Sequence, residues 1–263
     1  MGSISLDLNR LKKRRKRKVR GGMNLLITIC ARGGSRGLPG KATKLFNGKP
    51  LCQWTMEQAL DFGSGKVVVS SDDPVVLSIA RDMGLDYFAR SDDLCQDDTP
   101  KLDVLRDVLH KFGPNKFDCV IDLDITNPCR TLEDIKNCLN IFGKKRHKTL
   151  FSVTKGRKSP YFNQVFLSEY ENPEIAYEFM MDDCIERDDY INITRRQDAP
   201  EVYDMNASIY LYDPKWLMNP DNLSPIIDDA GICLMPDWTF CDIDNEVDFE
   251  VAQFLHKKYM AQA

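Results

Sequence analysis

A glycine-rich, cationic loop directly follows an apolar run near the start of the sequence. The stretch LLITICARGGSRGLPGKATKLF covers residues 25–46. Its glycines and basic residues are Gly33, Gly34, Gly37, Gly40, Arg32, Arg36, Lys41 and Lys44. Glycines after a buried strand leave backbone N–H groups accessible, and nearby cations strengthen their attraction for an anion. The loop therefore predicts a phosphate-binding site, and a merely mobile surface connection is the alternative.

Two familiar phosphate-binding patterns do not fit this loop. The pattern GxxxxGK[ST] requires glycine where the sequence has Ser35 and a hydroxyl side chain where it has Ala42. The dinucleotide pattern GxGxxG also fails, because the loop contains no GxG. An ordinary ATPase loop and a nicotinamide site are both excluded. Arg32 and Lys41 could both reach a triphosphate if the loop wraps around it.

A second group of charged residues lies near the C-terminus. The stretch TFCDIDNEVDFE contains Asp242, Asp244 and Asp248. If residues 240–244 are extended, the first two carboxylates project from one face, where their repulsion favours a bound cation. Mg²⁺ commonly takes one or two carboxylates together with substrate phosphates. The pair and the glycine loop together predict a nucleoside triphosphate with Mg²⁺, whereas a solvated turn is the alternative. Asp248 is predicted as a cap or first-turn acid of the following helix.

The sequence gives little support for histidine or cysteine chemistry. Its 3 histidines lie on helix-like segments or a basic turn, which argues against a histidine-centred triad or a zinc site. The 9 cysteines form no CxxC pair and lie mostly in apolar runs, where a free thiol behaves as a small hydrophobe. This usage indicates the reducing cytoplasm rather than a disulfide framework. No run reaches the roughly 20 apolar residues of a membrane span, so no membrane partner is predicted.

A basic tail precedes the ordered pattern. Residues 12–20, KKRRKRKVR, consist of cations and one valine, although the chain has a formal net charge of −4. Such a run is typical of a nucleic-acid or nuclear-import patch or, alternatively, of a disordered tail. No basic stripe interleaved with aromatics follows, so nucleic acid is not a predicted partner. We therefore expect a disordered tail over 1–22 and one domain over 23–263.

Strand-like and helix-like segments alternate from residue 24 onward. The apolar, β-branched runs are 24–30, 66–71, 117–125, 150–154 and 207–213. The amphipathic stretches are about 50–62, 73–83, 101–112, 131–142 and 245–259. Asp73 before Pro74, and Thr131 with Asp134, indicate helix starts. The alternation predicts an α/β fold with a mostly parallel sheet covered on both faces. Residues 155–200 break the rhythm and predict an inserted arm, either a lid or a dimerisation element.

Six ordered blocks support a family resemblance. They are ARGGSRGLPGK, VVVSSDDPVVLSIARDMG, DLCQDDTP, LDITNPCRTLEDI, RRQDAPEVYDMNASIYLYD and FCDIDNEVDFE. In this order they resemble the acylneuraminate cytidylyltransferases, or CMP-nonulosonic acid synthetases, which couple CTP to nine-carbon keto-acid sugars and release pyrophosphate. The resemblance covers about residues 24–256. The segments TICARGGS, VIDLDITNP, SPYFNQV and YDMNASIY are most similar to the bacterial branch that makes CMP-N,N′-diacetyllegionaminic acid.

The resemblance implies a fold and an assembly. The expected fold is a Rossmann-like nucleotide-diphospho-sugar transferase fold with a mostly parallel sheet. Family members are usually homodimers, in which the inserted arm at 155–200 crosses to the partner subunit and completes its sugar pocket. A cytoplasmic homodimer acting on CTP and a nonulosonic acid is therefore expected.

The resemblance also implies the nucleotide-binding residues, matched position by position. They are Arg32, Ser35, Arg36, Lys41 and Arg90. Two of them have alternative roles: Ser35 could only tie the loop together, and Arg90 could pair with Asp92 or Asp93 at the surface. Ala42 stands where the family usually has asparagine, so one base or ribose contact is missing or replaced.

Contacts with the acid substrate are implied for four further residues. They are Asp124, Asn163, Arg196 and Asn206. Asp124 stands where the sialic-acid branch usually has glutamine, and this departure argues against a simple sialic-acid assignment. Arg196 is expected to clamp the sugar carboxylate, because a guanidinium group binds a carboxylate bidentately. Arg195 is the alternative clamp.

The implied reaction is attack by the anomeric hydroxyl on the α-phosphorus of CTP. The residues implied as catalytic are Lys41, Arg36 and Asp242, and Asp242 and Asp244 match the family's metal-binding pair. Arg36 and Lys41 would stabilise the departing pyrophosphate, and Mg²⁺ would bridge phosphate oxygens. The base is either Asp242 or a metal-bound hydroxide beside it. The rival functions are a sialic or pseudaminic acid cytidylyltransferase and a catalytically silent nucleotide-binding regulatory protein.

Overall fold

A seven-stranded, mostly parallel sheet organises the chain. The computed structural model describes residues 23–161, 163–167, 176–178 and 195–260, so the predicted tail over 1–22 lies outside the described residues. The strands are β1 (Leu25–Ala31), β2 (Leu45–Phe46), β3 (Lys49–Pro50), β4 (Lys66–Ser71), β5 (Asp86–Ala89), β6 (Cys119–Leu123), β7 (Thr149–Lys155), β8 (Val165–Leu167), β9 (Ala176–Glu178), β10 (Tyr203–Tyr212) and β11 (Gly231–Leu234). The large sheet has the order β11-β7-β10-β6-β1-β4-β5. Strand β10 is antiparallel to both of its neighbours, and the other pairs are parallel.

The central strands have the composition of strands that are covered on both faces. Every residue of β1 and of β6 is buried, as is typical of parallel strands between helical layers. The predicted α/β fold with a mostly parallel sheet is confirmed. The run at 117–125 yields a shorter strand than expected, because β6 ends at Leu123 and Asp124 begins a turn in which its Oδ1 accepts a hydrogen bond from the backbone N–H of Thr126.

Six α-helices flank the sheet in the described part of the chain. They are α1 (Leu51–Phe62), α2 (Pro74–Asp82), α3 (Lys101–Phe112), α4 (Leu132–Lys145), α5 (Pro214–Leu217) and α6 (Glu246–Tyr259). The predicted starts are confirmed: Asp73 caps α2, and Thr131 with Asp134 forms a capping box on α4. Asp248 forms the same box with Asn245 at the start of α6, as expected for a first-turn acid.

The two faces of the sheet carry separate apolar layers. On one face, Met56 of α1, Val76 of α2 and Ile135 of α4 pack in one cluster with Ile27 of β1. On the other face, helices α3 and α5 supply a second cluster around Leu26. Leu26 and Ile27 point to opposite faces because side chains alternate along a strand. None of the helices in the described ranges has the length and apolar character needed to span a membrane.

A third apolar cluster holds the C-terminal helix against the glycine-rich loop. Leu38 from that loop, Ile243 from the acidic stretch and Phe249 from α6 are buried together. Burial of these side chains draws two segments that are far apart in sequence to the same edge of the sheet. The fold therefore places the predicted phosphate loop beside the predicted metal-binding residues.

The condition of an extended segment at residues 240–244 is not met. A short 3₁₀ turn at Asp237–Thr239 leads into an irregular segment instead of a strand. The backbone of this segment has a different partner, because the N–H of Ile243 donates to the carbonyl oxygen of Thr126 over 2.9 Å. Without strand geometry, the argument that Asp242 and Asp244 share one face of a strand does not apply.

The predicted arm lies between β7 and β10, which are neighbours in the sheet. Within it, β8 and β9 form a two-stranded antiparallel ribbon. The remainder of the arm at 162, 168–175 and 179–194 lies outside the described residues. Its role in dimerisation remains a prediction.

Candidate active site

A cavity of about 280 Å³ opens at the carboxyl ends of the parallel strands. In open α/β sheets, ligands bind outside the carboxyl ends of the strands, at the point where the strand order reverses. Here β4 pairs with one side of β1 and β6 pairs with the other. Five residues predicted from the sequence line the cavity: Arg32, Ser35, Lys41, Arg90 and Asp124. The structure therefore brings most of the predicted nucleotide site together.

The two arginines of the glycine-rich loop share one carboxylate. Arg32 Nη1 lies 2.9 Å from Asp97 Oδ1 and donates to the carbonyl oxygen of Gln96 over 3.2 Å. Arg36, which is largely exposed, pairs with the other carboxylate oxygen of Asp97. The predicted phosphate ligands are thus held by an acidic side chain. A phosphate group entering the cavity would compete with Asp97 for both arginines.

Lys41 and Gly37 connect the loop to the acidic stretch. Lys41 Nζ donates to the carbonyl oxygen of Ile243 over 2.6 Å and lies 3.6 Å from Asp244 Oδ1. A Cβ atom on Gly37 would lie 2.2 Å from the backbone oxygen of Asp244. Glycine is needed at this position because only it permits so close an approach of the two backbones.

The two carboxylates of the acidic stretch have different surroundings. Oδ1 of Asp242 is buried and has no hydrogen-bond partner among the described residues. Burial raises the pKa of Asp242 to about 6, and the charges of Asp124 and Asp244 act in the same direction, whereas the Thr126 side chain and the charge of Lys41 oppose the shift. The side chain of Asp244 is largely exposed. One carboxylate is thus costly to ionise unless a cation lies nearby, and the other is open to solvent.

These carboxylates fit Mg²⁺ only as part of a larger oxygen set. The described residues contain no group of three or more His, Cys, Asp or Glu side chains that could hold an ion by themselves. Mg²⁺ prefers oxygen ligands and often takes only one or two carboxylates, with water and phosphate oxygens completing its shell. The unpartnered oxygen of Asp242 and the exposed carboxylate of Asp244 match that requirement.

Arg90 is held by the end of strand β4. Its Nε donates to Ser70 Oγ over 3.1 Å, and its Nη2 donates to the Ser70 carbonyl oxygen over 3.0 Å. No ion pair with Asp92 or Asp93 is present in the described part of the chain. The guanidinium group is therefore oriented from one side and lines the cavity with the other.

An ion cluster lies in the wall of the cavity, and sequence reasoning missed two of its members. Lys101 Nζ lies 2.7 Å from Asp122 Oδ2 and also pairs with Asp124 Oδ2. Burial opposes the charge on Lys101, but Asp122 and Asp124 outweigh it and hold the lysine pKa well above its usual value. Burial likewise opposes the charge on Asp124, but the positive charge of Lys101 outweighs it and lowers the pKa of that carboxyl. Lys101 and Asp124 are therefore both charged.

Three comparisons with known proteins identify the family and the fold of the chain. Residues 26–219 match the family model described as Cytidylyltransferase. The chain belongs to the cytidylyltransferase family. It is 34% identical over 236 residues to the CMP-N,N′-diacetyllegionaminic acid synthase of Campylobacter jejuni, covering 88% of this chain and 94% of that protein. It is 32% identical over 244 residues to the post-translational flagellin modification protein B of Campylobacter coli, covering 91% and 97%.

The fold of this cytidylyltransferase is also found in a solved structure. The structure of CMP:2-keto-3-deoxy-manno-octonic acid synthetase complexed with CTP superposes with a TM-score of 0.65 at 21% identity, covering 91% of this chain and 99% of that chain. At that identity the likeness concerns the fold alone. The resemblance stated from the sequence blocks, the nucleotide-sugar transferase fold and the nucleotidyltransferase class are confirmed.

The remaining acid-binding predictions fall outside the cavity lining. Asn206 is fully buried, where its Oδ1 accepts from Ser152 Oγ over 2.6 Å and its Nδ2 donates to Thr239 Oγ1 over 3.1 Å. Asn163 is exposed, and its Oδ1 accepts from the Ser159 N–H over 2.7 Å. Sugar contact by either asparagine stays a prediction. In the structure, both asparagine side chains make hydrogen bonds to neighbouring segments of the chain.

The proposed carboxylate clamp lies beside the undescribed part of the arm. The backbone of Arg196 begins the 3₁₀ turn Arg196–Asp198, and the structure does not describe its side chain. Arg195, the alternative clamp, makes a two-point pair with Asp198, with Nε–Oδ2 and Nη2–Oδ1 distances of 2.6 and 3.1 Å. Arg196 remains the predicted clamp and Arg195 the alternative.

The sequence held signals for some of the missed residues. Asp122 and Asp124 are two residues apart, so a strand would have put both on the same face.

Ala42, at the position where the family usually has asparagine, is buried in the apolar core and supplies no polar contact. Arg130 is fully buried and donates to the Asp124 carbonyl oxygen over 2.8 Å. Nothing in its sequence context indicates that contact.

Proposed function

We propose that the protein transfers CMP from CTP to the anomeric hydroxyl of a nine-carbon nonulosonic acid and releases pyrophosphate. The legionaminic type is favoured, because relatives across nearly the whole chain include a synthase of that acid. The observation that carries the proposal is the contact of Lys41 with Ile243 and Asp244, which joins a phosphate loop to a carboxylate pair beside one cavity.

The proposed chemistry is an in-line displacement on the α-phosphorus. A bond forms between the sugar oxygen and that phosphorus, the bond to the β-phosphate oxygen breaks, and pyrophosphate leaves. Arg32 and Ser35 bind the phosphates, and Arg36 and Lys41 stabilise the charge that accumulates on the leaving group. Such fixed donors contribute most where charge develops in the transition state. Arg90 holds the nucleoside end of the cavity.

Asp242 and Asp244 are the proposed ligands of Mg²⁺. When bound, the ion would neutralise charge on the phosphates. The buried Oδ1 of Asp242 has no protein partner among the described residues, which leaves it free to hold the ion or to accept the proton of the attacking hydroxyl. Lys41, 3.6 Å from Asp244, keeps that carboxylate next to the phosphate loop.

The acid substrate is proposed to meet Asp124 within the cavity and Arg196 at its rim. Asp124 would accept hydrogen bonds, and Arg196 would bind the carboxylate of the acid. Asn163 and Asn206 would support this site from the base of the arm. The arm at 155–200 is proposed to cross to a partner subunit in a cytoplasmic homodimer.

The test is pyrophosphate release in the presence of CTP, Mg²⁺ and one of three acids. These are N,N′-diacetyllegionaminic, N-acetylneuraminic and pseudaminic acid. We expect the highest kcat/KM with the first. A preference for another acid would retain the cytidylyl transfer and overturn the choice of sugar. Binding of CTP without release with any acid would indicate a catalytically silent nucleotide-binding protein.

A further inference from the structure

Lys101 lies at a position that is electrostatically unfavourable for a lysine. It is the first residue of α3, and a positive charge at a helix N-terminus is opposed by the helix dipole. Its ammonium group forms ion pairs with Asp122, which is fully buried, and with Asp124, and its partly exposed side chain also lines the cavity. The pairing with these two carboxylates compensates for the unfavourable position on the helix.

Asp124 is fixed on every side except the one facing the cavity. Its Oδ2 contacts Lys101 and its Oδ1 accepts from the Thr126 N–H over 3.0 Å. Its carbonyl oxygen accepts from Arg130 over 2.8 Å, and its N–H donates to the Ser208 carbonyl oxygen over 3.1 Å. A carboxylate offers about four acceptor positions. The protein uses two of them, and Asp124 lines the cavity with the rest.

A fixed carboxylate of this kind selects for donor groups. It repels phosphate oxygens, which the cations Arg32 and Lys41 attract elsewhere in the cavity lining. It accepts hydrogen bonds from hydroxyl and amide N–H groups, and a nonulosonic acid carries both. The Lys101 charge keeps the carboxylate of Asp124 ionised and in one orientation.

We propose that Lys101 is a positioning residue for the acid substrate, because it fixes Asp124 as the acceptor for a hydroxyl or amide N–H of that acid. The proposal rests on the proposed function, whose acid it concerns. It adds a residue and a recognised chemical group to that function. Asp122 acts as the buried counter-charge that holds the Lys101 ammonium in place.

The double substitution Lys101→Met with Asp122→Asn tests this most cleanly. The cluster of Asp122, Asp124 and Lys101 carries one net negative charge, and the double variant retains it on Asp124. The electrostatic field at CTP is therefore preserved, whereas the carboxylate of Asp124 loses the ion pair with Lys101 that orients it. Asp124→Asn is the second variant, and Lys111→Met is the control because Lys111 pairs with Asp107 near the other end of the same helix.

The expected result is a selective loss of affinity for the acid substrate. KM and the calorimetric Kd for N,N′-diacetyllegionaminic acid rise at least about tenfold in the double variant and in Asp124→Asn. The Kd for CTP changes less than about twofold. Combining all three substitutions gives no further loss, because Lys101 acts through Asp124. Lys111→Met leaves every constant unchanged.

Three outcomes would overturn the proposal. They are an unchanged acid Kd, equal losses for the acid and CTP, and additive losses in the combined variant. If the double variant does not fold, Lys101→Met alone decides: a larger loss of affinity for the acid than for CTP supports the proposal, and an equal loss or no loss overturns it. Because binding is measured directly, a protein that binds both ligands without turnover would refute the proposed function and still test Lys101.

Discussion

The Nζ atom of Lys41 donates a hydrogen bond to the carbonyl oxygen of Ile243 over 2.6 Å, across 202 positions of sequence. This contact places the glycine-rich loop against the segment that contains Asp242 and Asp244. Neither segment alone indicates more than anion or cation binding. Together they place positive charge and carboxylates at one edge of the sheet, as the proposed phosphate and metal sites require.

Substituting Gly37 by alanine should disrupt this junction. A Cβ atom there would lie 2.2 Å from the Asp244 backbone oxygen, so the loop and the acidic segment must separate. We expect kcat/KM for pyrophosphate release to fall at least about tenfold, which corresponds to about 1.4 kcal/mol. Gly34→Ala is the control, since its Cβ would meet no atom within 4 Å. Equal activity of the two variants would show that the close approach has no catalytic importance.

Removing the charge of Asp97 should strengthen CTP binding. Asp97 pairs with both Arg32 and Arg36, and the phosphates must replace it. Exposed ion pairs contribute below about 1 kcal/mol each, so Asp97→Asn should lower the Kd for CTP about fivefold in titration calorimetry. Asp98→Asn, at the exposed neighbouring position, should leave it unchanged. Weaker CTP binding by Asp97→Asn would mean that Asp97 supports the nucleotide instead of competing with it.

Substitution of Arg130 should cost stability. Its guanidinium is fully buried and donates to the Asp124 and Ser208 carbonyl oxygens and to Thr55 Oγ1. Arg130→Met would remove the donor to Thr55 Oγ1 and one of the two donors to each carbonyl oxygen, since these oxygens also accept from Thr55 Oγ1 and from the Asp124 N–H. Each group left unsatisfied costs about 1–3 kcal/mol. We expect the free energy of unfolding in urea to fall by at least about 3 kcal/mol. The matched change at the exposed Arg81 should stay within about 0.5 kcal/mol.

The sequence predicted those elements whose structure depends on the local pattern of residues. The contiguous apolar run of β1 and the caps at Asp73 and Thr131 predicted their elements, because strand burial and helix capping depend on neighbouring residues. The same holds for the glycine-rich loop, whose composition is itself the signal. The family resemblance then supplied Arg90 and Asp124, which also line the cavity.

The rest depends on contacts between distant segments. Asp97 meets Arg32 and Arg36 only because the chain following β5 folds back over the β1 loop. Lys101 is paired with Asp122 only because helix α3 begins next to the end of β6. The segment at 240–244 is held by the hydrogen bond from the Ile243 N–H to the Thr126 carbonyl oxygen and not by pairing as a strand. Sequence patterns carry no information about such pairings until the topology is known.

His256 should make stability depend on pH. Burial among aromatic rings, with Trp54 at 4.3 Å between ring centroids, lowers its pKa to about 4, and Lys49 adds to the effect. The unfolded chain, with a histidine pKa near 6.5, therefore binds more protons between pH 6.5 and 4. Stability from this group is complete above about pH 6.5 and is lost as the pH falls toward 4. Between pH 7 and 5 the loss is about 2 kcal/mol.

The measurement for His256 is urea unfolding at pH 7 and pH 5. His256→Phe should lack this part of the pH dependence, whereas His110→Phe, at an exposed position, should retain it. Carboxyls with a raised pKa, such as Asp242, have the opposite effect, so each variant is compared with the wild type at the same pH. An identical pH dependence in wild type and His256→Phe would refute the assignment.

We propose that the glycine-rich loop and the acidic segment form one catalytic site. The most direct test of this proposal is the kcat/KM of Asp244→Ala for pyrophosphate release from CTP with N,N′-diacetyllegionaminic acid and Mg²⁺. We expect a decrease of at least about a hundredfold, or about 2.7 kcal/mol of transition-state stabilisation. Asp237→Ala, also at an exposed position, should retain wild-type activity. Near-normal turnover by Asp244→Ala would contradict the account and remove the acidic segment from the reaction.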